Sequence, residues 1–220
     1  MTQLKAILFD NDGTLVDTHE VLLTCFRHAT RTVLNEVIPD DVLMAKVGQP
    51  LVVQMWDYTD DPDVHQRLCD AYHTKGKEIH DEKAALYEGV AETLAQLKEQ
   101  GYIFGVVTSK LHDACVHGLE LFGIADFFDC VVSPDDCEGA KPSPEPVIYA
   151  AGLLGLKPEE CVYVGDSPFD MQAGNGAGCI TVAAQWGMFS DEVLAENNPT
   201  YTCRHFSDLL DVEAIVAKEV

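Results

Sequence analysis

The sequence predicts a doubly wound α/β protein: a parallel sheet with helices on both faces, interrupted by an α-helical insertion. Three observations carry this. Short runs that are apolar throughout alternate with amphipathic stretches of helical period, the pattern of strands buried on both faces. The alternation stops between residues 16 and about 85, where the patterns are helical. Polar residues follow the apolar runs, at the places where an open parallel sheet binds ligands.

In chain order, Ala6–Phe9 reads as the first strand and stops at Asp10. Residues 21–33, 41–47 and 63–79 look helical, and Asp60-Asp61-Pro62-Asp63 is a turn and helix-start signal among them. Val90, Leu94 and Leu97 share one helical face, which Gly101 terminates. Residues 103–108 form the second strand pattern, followed by a helix over 111–122 that Gly123 stops. Cys130–Val132, 161–164 and 179–182 are further strands. The expected division is an α/β core from residues 1–15 and 86–220, with residues 16–85 as the helical insertion. There is no internal repeat or long linker. Gly174-Asn175-Gly176-Ala177-Gly178 faintly resembles a dinucleotide fingerprint, but it precedes a strand and its spacing is wrong. It reads as a loop closing the helix after Asp170.

Hydrophobic residues make up 47% of the 220, which suits a packed globular chain and not a disordered one. Fourteen Lys and Arg stand against 37 Asp and Glu, a net charge of −23. Nucleic acid and anionic membranes are therefore poor partners. An anionic substrate would need local positive charge, from a divalent cation and one or two Lys. None of the eight Cys forms a C-x-x-C pair, which argues against a zinc ribbon and fits a reducing cytoplasm. The apolar run before Asp10 is too short for a signal segment or a membrane span. His112 and His117 lie five apart, not at the spacing of a helical metal pair.

Asp10 and Asp12 follow the first strand, Thr108-Ser109-Lys110 the second, and Asp166 and Asp170 a later one. Singly, such Asp residues are common turn formers and caps. Gathered at one sheet edge, four carboxylates repel unless a cation sits among them, and hard oxygen ligands suit Mg²⁺. Strand alternation predicts that Asp10 and Asp12 face one way and Asn11 the other.

These segments resemble the four motifs of the haloacid dehalogenase-like phosphatases. Asp10-Asn11-Asp12-Gly13-Thr14-Leu15 is similar to the nucleophile loop, and Val106-Val107-Thr108-Ser109 to the phosphate-binding strand end. Lys141-Pro142-Ser143-Pro144 is similar to the Lys-Pro segment, and Gly165-Asp166-Ser167-Pro168-Phe169-Asp170 to the metal loop. The resemblance implies a Rossmann-like core with an α-helical cap over residues 16–85. It implies Asp10 as nucleophile, forming an aspartyl-phosphate, and Asp12 as the acid and base. Mg²⁺ would lie on Asp10, Asp166 and the main-chain carbonyl of Asp12, with Asp170 in support. Gly13, Thr108, Ser109 and Lys141 would bind phosphate, and Lys110 would steer an anionic leaving group. Val47-Gly48-Gln49-Pro50-Leu51 resembles a turn of the phosphoglycolate phosphatase and pyrophosphatase relatives. The implied activity is hydrolysis of a small anionic phosphate compound. Phosphoglycolate is the leading substrate, with pyrophosphate or a nucleotide as alternatives, and a monomer or homodimer is expected. Leu22 stands where β-phosphoglucomutases carry a His, and Asp12 where dehalogenases lack an Asp, so those branches are disfavoured.

Overall fold

A computed structural model describes residues 4–212. Strand β1 (Ala6–Phe9) is followed by a two-residue strand, β2 (Val16–Asp17). The helical segment comes next: α1 (His19–Leu34), α2 (Asp40–Met44), α3 (Leu51–Gln54), a 3-10 turn at Met55–Tyr58, and α4 (Pro62–Lys83). Strand β3 (Ala85–Leu86) pairs antiparallel with β2, Val16 opposite Leu86, so the chain leaves and re-enters through one short ribbon. Alternation then resumes with α5 (Val90–Glu99), β4 (Ile103–Val107), α6 (His112–Leu121), β5 (Cys130–Val132) and α7 (Glu145–Leu153). It ends with β6 (Cys161–Gly165), α8 (Pro168–Ala177), β7 (Ile180–Ala184), α9 (Asp191–Ala195) and β8 (Tyr201–Cys203).

The main sheet has the order β5-β4-β1-β6-β7-β8, and each neighbouring pair is parallel. Phe9 of β1 lies opposite Val106 on one side and Val164 on the other. This register brings Asp10, Thr108 and Asp166 out at the same sheet edge. From β1 the sheet grows outward through β4 and β5 on one side and through β6 on the other. The crevice at this reversal is where such sheets bind ligands.

Successive residues of β1 serve opposite faces. Ile7 and Phe9 pack with Val106, Val162, Val164 and the α5 residues Leu94 and Leu97. Ala6 and Leu8 pack with Val107, Tyr163, Val147 and Ala150 of α7, and Ala173 of α8. Phe9 stacks on Phe206, with centroids 5.6 Å apart. Each large apolar side chain buried in this way contributes about 1.5–3 kcal/mol. The helical segment has its own core of Phe26, Ala29, Leu43, Met55, Leu68 and Cys69.

The expected strands all form, with bounds shifted by at most two residues in 179–182, where β7 is Ile180–Ala184. Asp61 caps α4 by accepting from the N–H groups of Asp63 (2.8 Å) and Val64 (3.2 Å), as the turn signal predicts. Three features differ from expectation. The ribbon strands β2 and β3 are too short to show an alternating pattern. The edge strand β8 lies beyond the last run predicted as a strand. The glycine-rich stretch is not a loop: α8 continues to Ala177, and Gly178 ends it with φ +87°. Gly174 lets α8 lie on the sheet, because a β-carbon there would sit 2.6 Å from Thr181 Cγ2 and 2.9 Å from Tyr163 Cδ1. All eight cysteines are free. Among the described residues no helix is long and apolar enough to cross a membrane.

Candidate active site

Asp10 leaves β1 with its N–H bonded to Val164 O (2.9 Å) and its side chain buried. Lys141 Nζ lies 2.9 Å from Asp10 Oδ1 and 2.7 Å from Asp170 Oδ1. Asp170 is saturated. Its Oδ1 also accepts from Tyr163 OH (2.8 Å), and its Oδ2 accepts from the N–H (3.0 Å) and hydroxyl of Ser167. It therefore holds Lys141 and the start of α8.

Asp166 accepts from Thr14 Oγ1 (3.1 Å) at one oxygen and from the Met188 N–H (2.8 Å) at the other. Gly13 has φ +87°, and a β-carbon there would sit 2.2 Å from Asp166 Oδ2. Close backbone approach is the reason for this glycine, and the group approached is a carboxylate.

One oxygen from each of Asp10, Asp166 and Asp170 falls within 4.8 Å of the others. Three buried carboxylates thus share one buried ammonium. Burial, then the neighbouring Asp170, raises the Asp10 pKa well above the ordinary carboxylate value. The same causes raise Asp166 to about 7. Burial alone would lower the Lys141 pKa, but Asp10 and Asp170 outweigh it and raise it. With all three carboxylates ionised, the cluster is short of two positive charges. That deficit and the all-oxygen donor set fit a hard divalent cation such as Mg²⁺.

Asp12 is less buried. Its Oδ1 accepts from Asn11 Nδ2 (3.0 Å), Thr18 Oγ1 (3.0 Å) and Lys110 Nζ (2.9 Å). Asn11 therefore does not point away from Asp12. The strand ends at Phe9, and the Asn11 carbonyl accepts from the N–H groups of Leu15 (2.9 Å) and Val16 (3.0 Å), so the chain has already turned. Alternation holds only for extended backbone. The Asn11 Oδ1 is buried and has no hydrogen-bond partner among the described residues.

Residues 7–184 match the family model described as haloacid dehalogenase-like hydrolase. The chain belongs to this family. It is 37% identical to the pyrophosphatase PpaX of Bacillus velezensis over 217 residues, which cover 97% of this chain and 98% of that protein. It is 33% identical to the pyrophosphatase PpaX of Halalkalibacterium halodurans, over 98% of this chain and all of that one. Among solved structures, a predicted phosphoglycolate phosphatase of Haemophilus somnus aligns with a TM-score of 0.88 at 30% identity, covering 97% of this chain and 99% of that one. The chain is thus a phosphatase of the haloacid dehalogenase-like superfamily, in the subgroup that its motifs resemble.

The other expected phosphate contacts of this haloacid dehalogenase-like phosphatase are placed unequally. Thr108 is buried at the sheet edge, and its hydroxyl oxygen accepts from the Lys110 N–H (3.1 Å). Ser109, whose backbone N–H is the group expected at phosphate, uses its hydroxyl to donate to Gly48 O of the helical segment (2.6 Å). Lys110, expected to steer the leaving group, is paired with Asp12. A cleft of about 800 Å³ opens above Asp10, Asp12 and Thr108, walled by α1 and α4 residues that include Leu22, Phe26, Tyr72 and His80. Tyr163, Thr14, Thr18 and His80 escape sequence reasoning. The first lies mid-strand and the last in the final turn of a long helix, where nothing local marks a polar role.

Proposed function

We propose that this phosphatase hydrolyses a small phosphorylated compound with Mg²⁺, using Asp10 as nucleophile and the helical segment as a cap over the cleft. The charge deficit among Asp10, Asp166 and Asp170 beside Lys141 carries this reading. Asp10 and Asp166, with the Asp12 carbonyl, would hold the cation. When bound, it screens the nucleophile from the phosphate charge and polarises a phosphoryl oxygen. A carboxylate oxygen of Asp10 attacks phosphorus, and the bond to the leaving oxygen breaks. That oxygen takes a proton from Asp12. Water then attacks the aspartyl-phosphate while Asp12 takes its proton, and inorganic phosphate and free Asp10 are regenerated. Lys141 offers a point charge to the phosphoryl oxygens, and Thr108 a hydroxyl.

Pyrophosphate is the first substrate to test, because the PpaX relatives carry that name. Phosphoglycolate is the second, supported by the name of the structural neighbour. Phosphate release across these two, nucleotides and sugar phosphates should single out one class. Asp10→Asn should lower the rate on that substrate by at least about 10⁴-fold, since an amide is a poor nucleophile. EDTA should abolish turnover and added Mg²⁺ restore it. Turnover by Asp10→Asn would sink the nucleophile assignment, and full activity under chelation the metal assignment.

A further inference from the structure

Asp12 is tied to the helical segment through a chain of polar contacts. Of the three donors to its Oδ1, Asn11 and Thr18 are close in sequence, whereas Lys110 comes from beyond the end of β4. An ammonium only donates hydrogen bonds. The other polar group beside Lys110 Nζ is His80 Nε2, at 3.4 Å. That nitrogen must present a lone pair, which places the ring proton on Nδ1. His80 Nδ1 lies 3.1 Å from Asp81 Oδ1, and the same oxygen meets His117 Nε2 at 2.8 Å. The contacts run His117, Asp81, His80, Lys110, Asp12. His80 and Asp81 belong to the last turns of α4, and the others to the α/β part. The His80 ring is buried against Gly118, where a β-carbon would lie 3.5 Å from Cε1. The proton on Nδ1 favours a hydrogen-bonded latch over a cation site at His80, Asp81 and His117.

We propose that His80 is a positioning residue for the acid/base step, holding the Lys110 ammonium against Asp12 Oδ1 so that Oδ2 exchanges the proton. The proposal rests on the reading of Asp12 as acid and base. Among the described residues no hydrogen bond reaches Oδ2, while Oδ1 already accepts three. A lysine has a flexible four-carbon stem and many rotamers, so a second contact is what selects one of them. That contact comes from the helical segment. Acid/base competence therefore depends on how α4 is seated.

The test compares the single-turnover rate of leaving-group release, which precedes hydrolysis of the shared aspartyl-phosphate, for an alkyl phosphate with a poor leaving group and for p-nitrophenyl phosphate, which needs no proton on departure, using the full chain with Mg²⁺. Asp12→Asn should lose far more of this release rate on the alkyl phosphate than on the aryl one. His80→Ala should show the same pattern more weakly: about a tenfold loss of the release rate on the alkyl phosphate and under about twofold on the aryl one, with KM within about threefold. His80→Gln, whose side-chain oxygen can accept from Lys110, should recover most of the loss. Asp81→Ala, at an exposed position, should show a smaller loss of the same kind and serves if His80→Ala does not fold. Equal losses on both substrates, no loss on either, or no rescue by His80→Gln would overturn the positioning role. If Asp12→Asn itself shows no leaving-group dependence, the acid/base reading fails and this proposal with it. If Asp12→Asn does and His80→Ala does not (or Asp81→Ala, where His80→Ala does not fold), this proposal alone fails.

Discussion

Two Lys–Asp pairs flank the nucleophile loop at the same distance, 2.9 Å, in different surroundings. The side chains of Lys141 and Asp10 are 1% and 5% exposed, while those of Lys110 and Asp12 are 15% and 16% exposed. Lys141 is shared with Asp170, so removing its charge strands two carboxylates in low dielectric beside a third, Asp166. Lys110 is one of three donors to a carboxylate that water can reach. Equal distances therefore do not mean equal energies. The first pair bears mainly on stability, and the second leaves the Asp12 carboxylate open to solvent. Two matched variants can break this comparison. Lys141→Met should cost about 3–5 kcal/mol in urea unfolding of the metal-free protein. Lys110→Met should cost less than about 1 kcal/mol, because the site is partly solvated and Asn11 and Thr18 remain. Similar losses from both would mean that the two halves of the site do not differ.

A second test uses pH and stays within the buried half. Burial, then Asp170, raises the Asp166 pKa from its ordinary 3.8 to about 7 in the fold. A group whose folded pKa is raised contributes stability that is complete below the unfolded pKa. It is lost as pH rises through the folded one. Metal-free protein should therefore lose stability between about pH 4 and pH 7 relative to Asp166→Asn, on the order of 4 kcal/mol at full extent. Mg²⁺ should offset the loss most strongly at the upper end of that window, because protons compete with the cation for the same carboxylate. Parallel stability curves for the wild type and Asp166→Asn would show that Asp166 is not the group responsible.

The buried half is largely legible in the sequence. Asp10 and Asp166 each follow an apolar run, and parallel pairing carries the ends of adjacent runs to one edge, so spacing and strand order place them together. Lys141 was legible through its motif alone, since no apolar strand precedes it directly. The half around Asp12 was much less readable. His80 looks like any residue of an amphipathic helix, and its meeting with Lys110 depends on how α4 sits against α6. The Ser109 hydroxyl, which donates to Gly48 of the helical segment, is equally unmarked in the sequence. In each case the contact joins segments distant in sequence, which no local pattern encodes.

Asn11 failed for a different reason, and it offers the smallest and most discriminating test. Its neighbours Asp10 and Asp12 carry the charges of the loop, whereas Asn11 carries none. Its amide nitrogen donates to Asp12, which favours keeping it, and its buried Oδ1 has no partner among the described residues, which favours losing it. A hydrogen bond to a charged group and an unsatisfied buried oxygen are of comparable size and opposite sign. Asn11→Leu should therefore change stability by less than about 1 kcal/mol. It should lower the single-turnover rate of leaving-group release from an alkyl phosphate by only about threefold, since Thr18 and Lys110 still hold Oδ1. Thermal unfolding and single-turnover rates on one preparation would check both. A loss as large as that of His80→Ala would show that Asp12 depends on each of its donors, and the contrast between the partly exposed pair and the buried one would have to be redrawn.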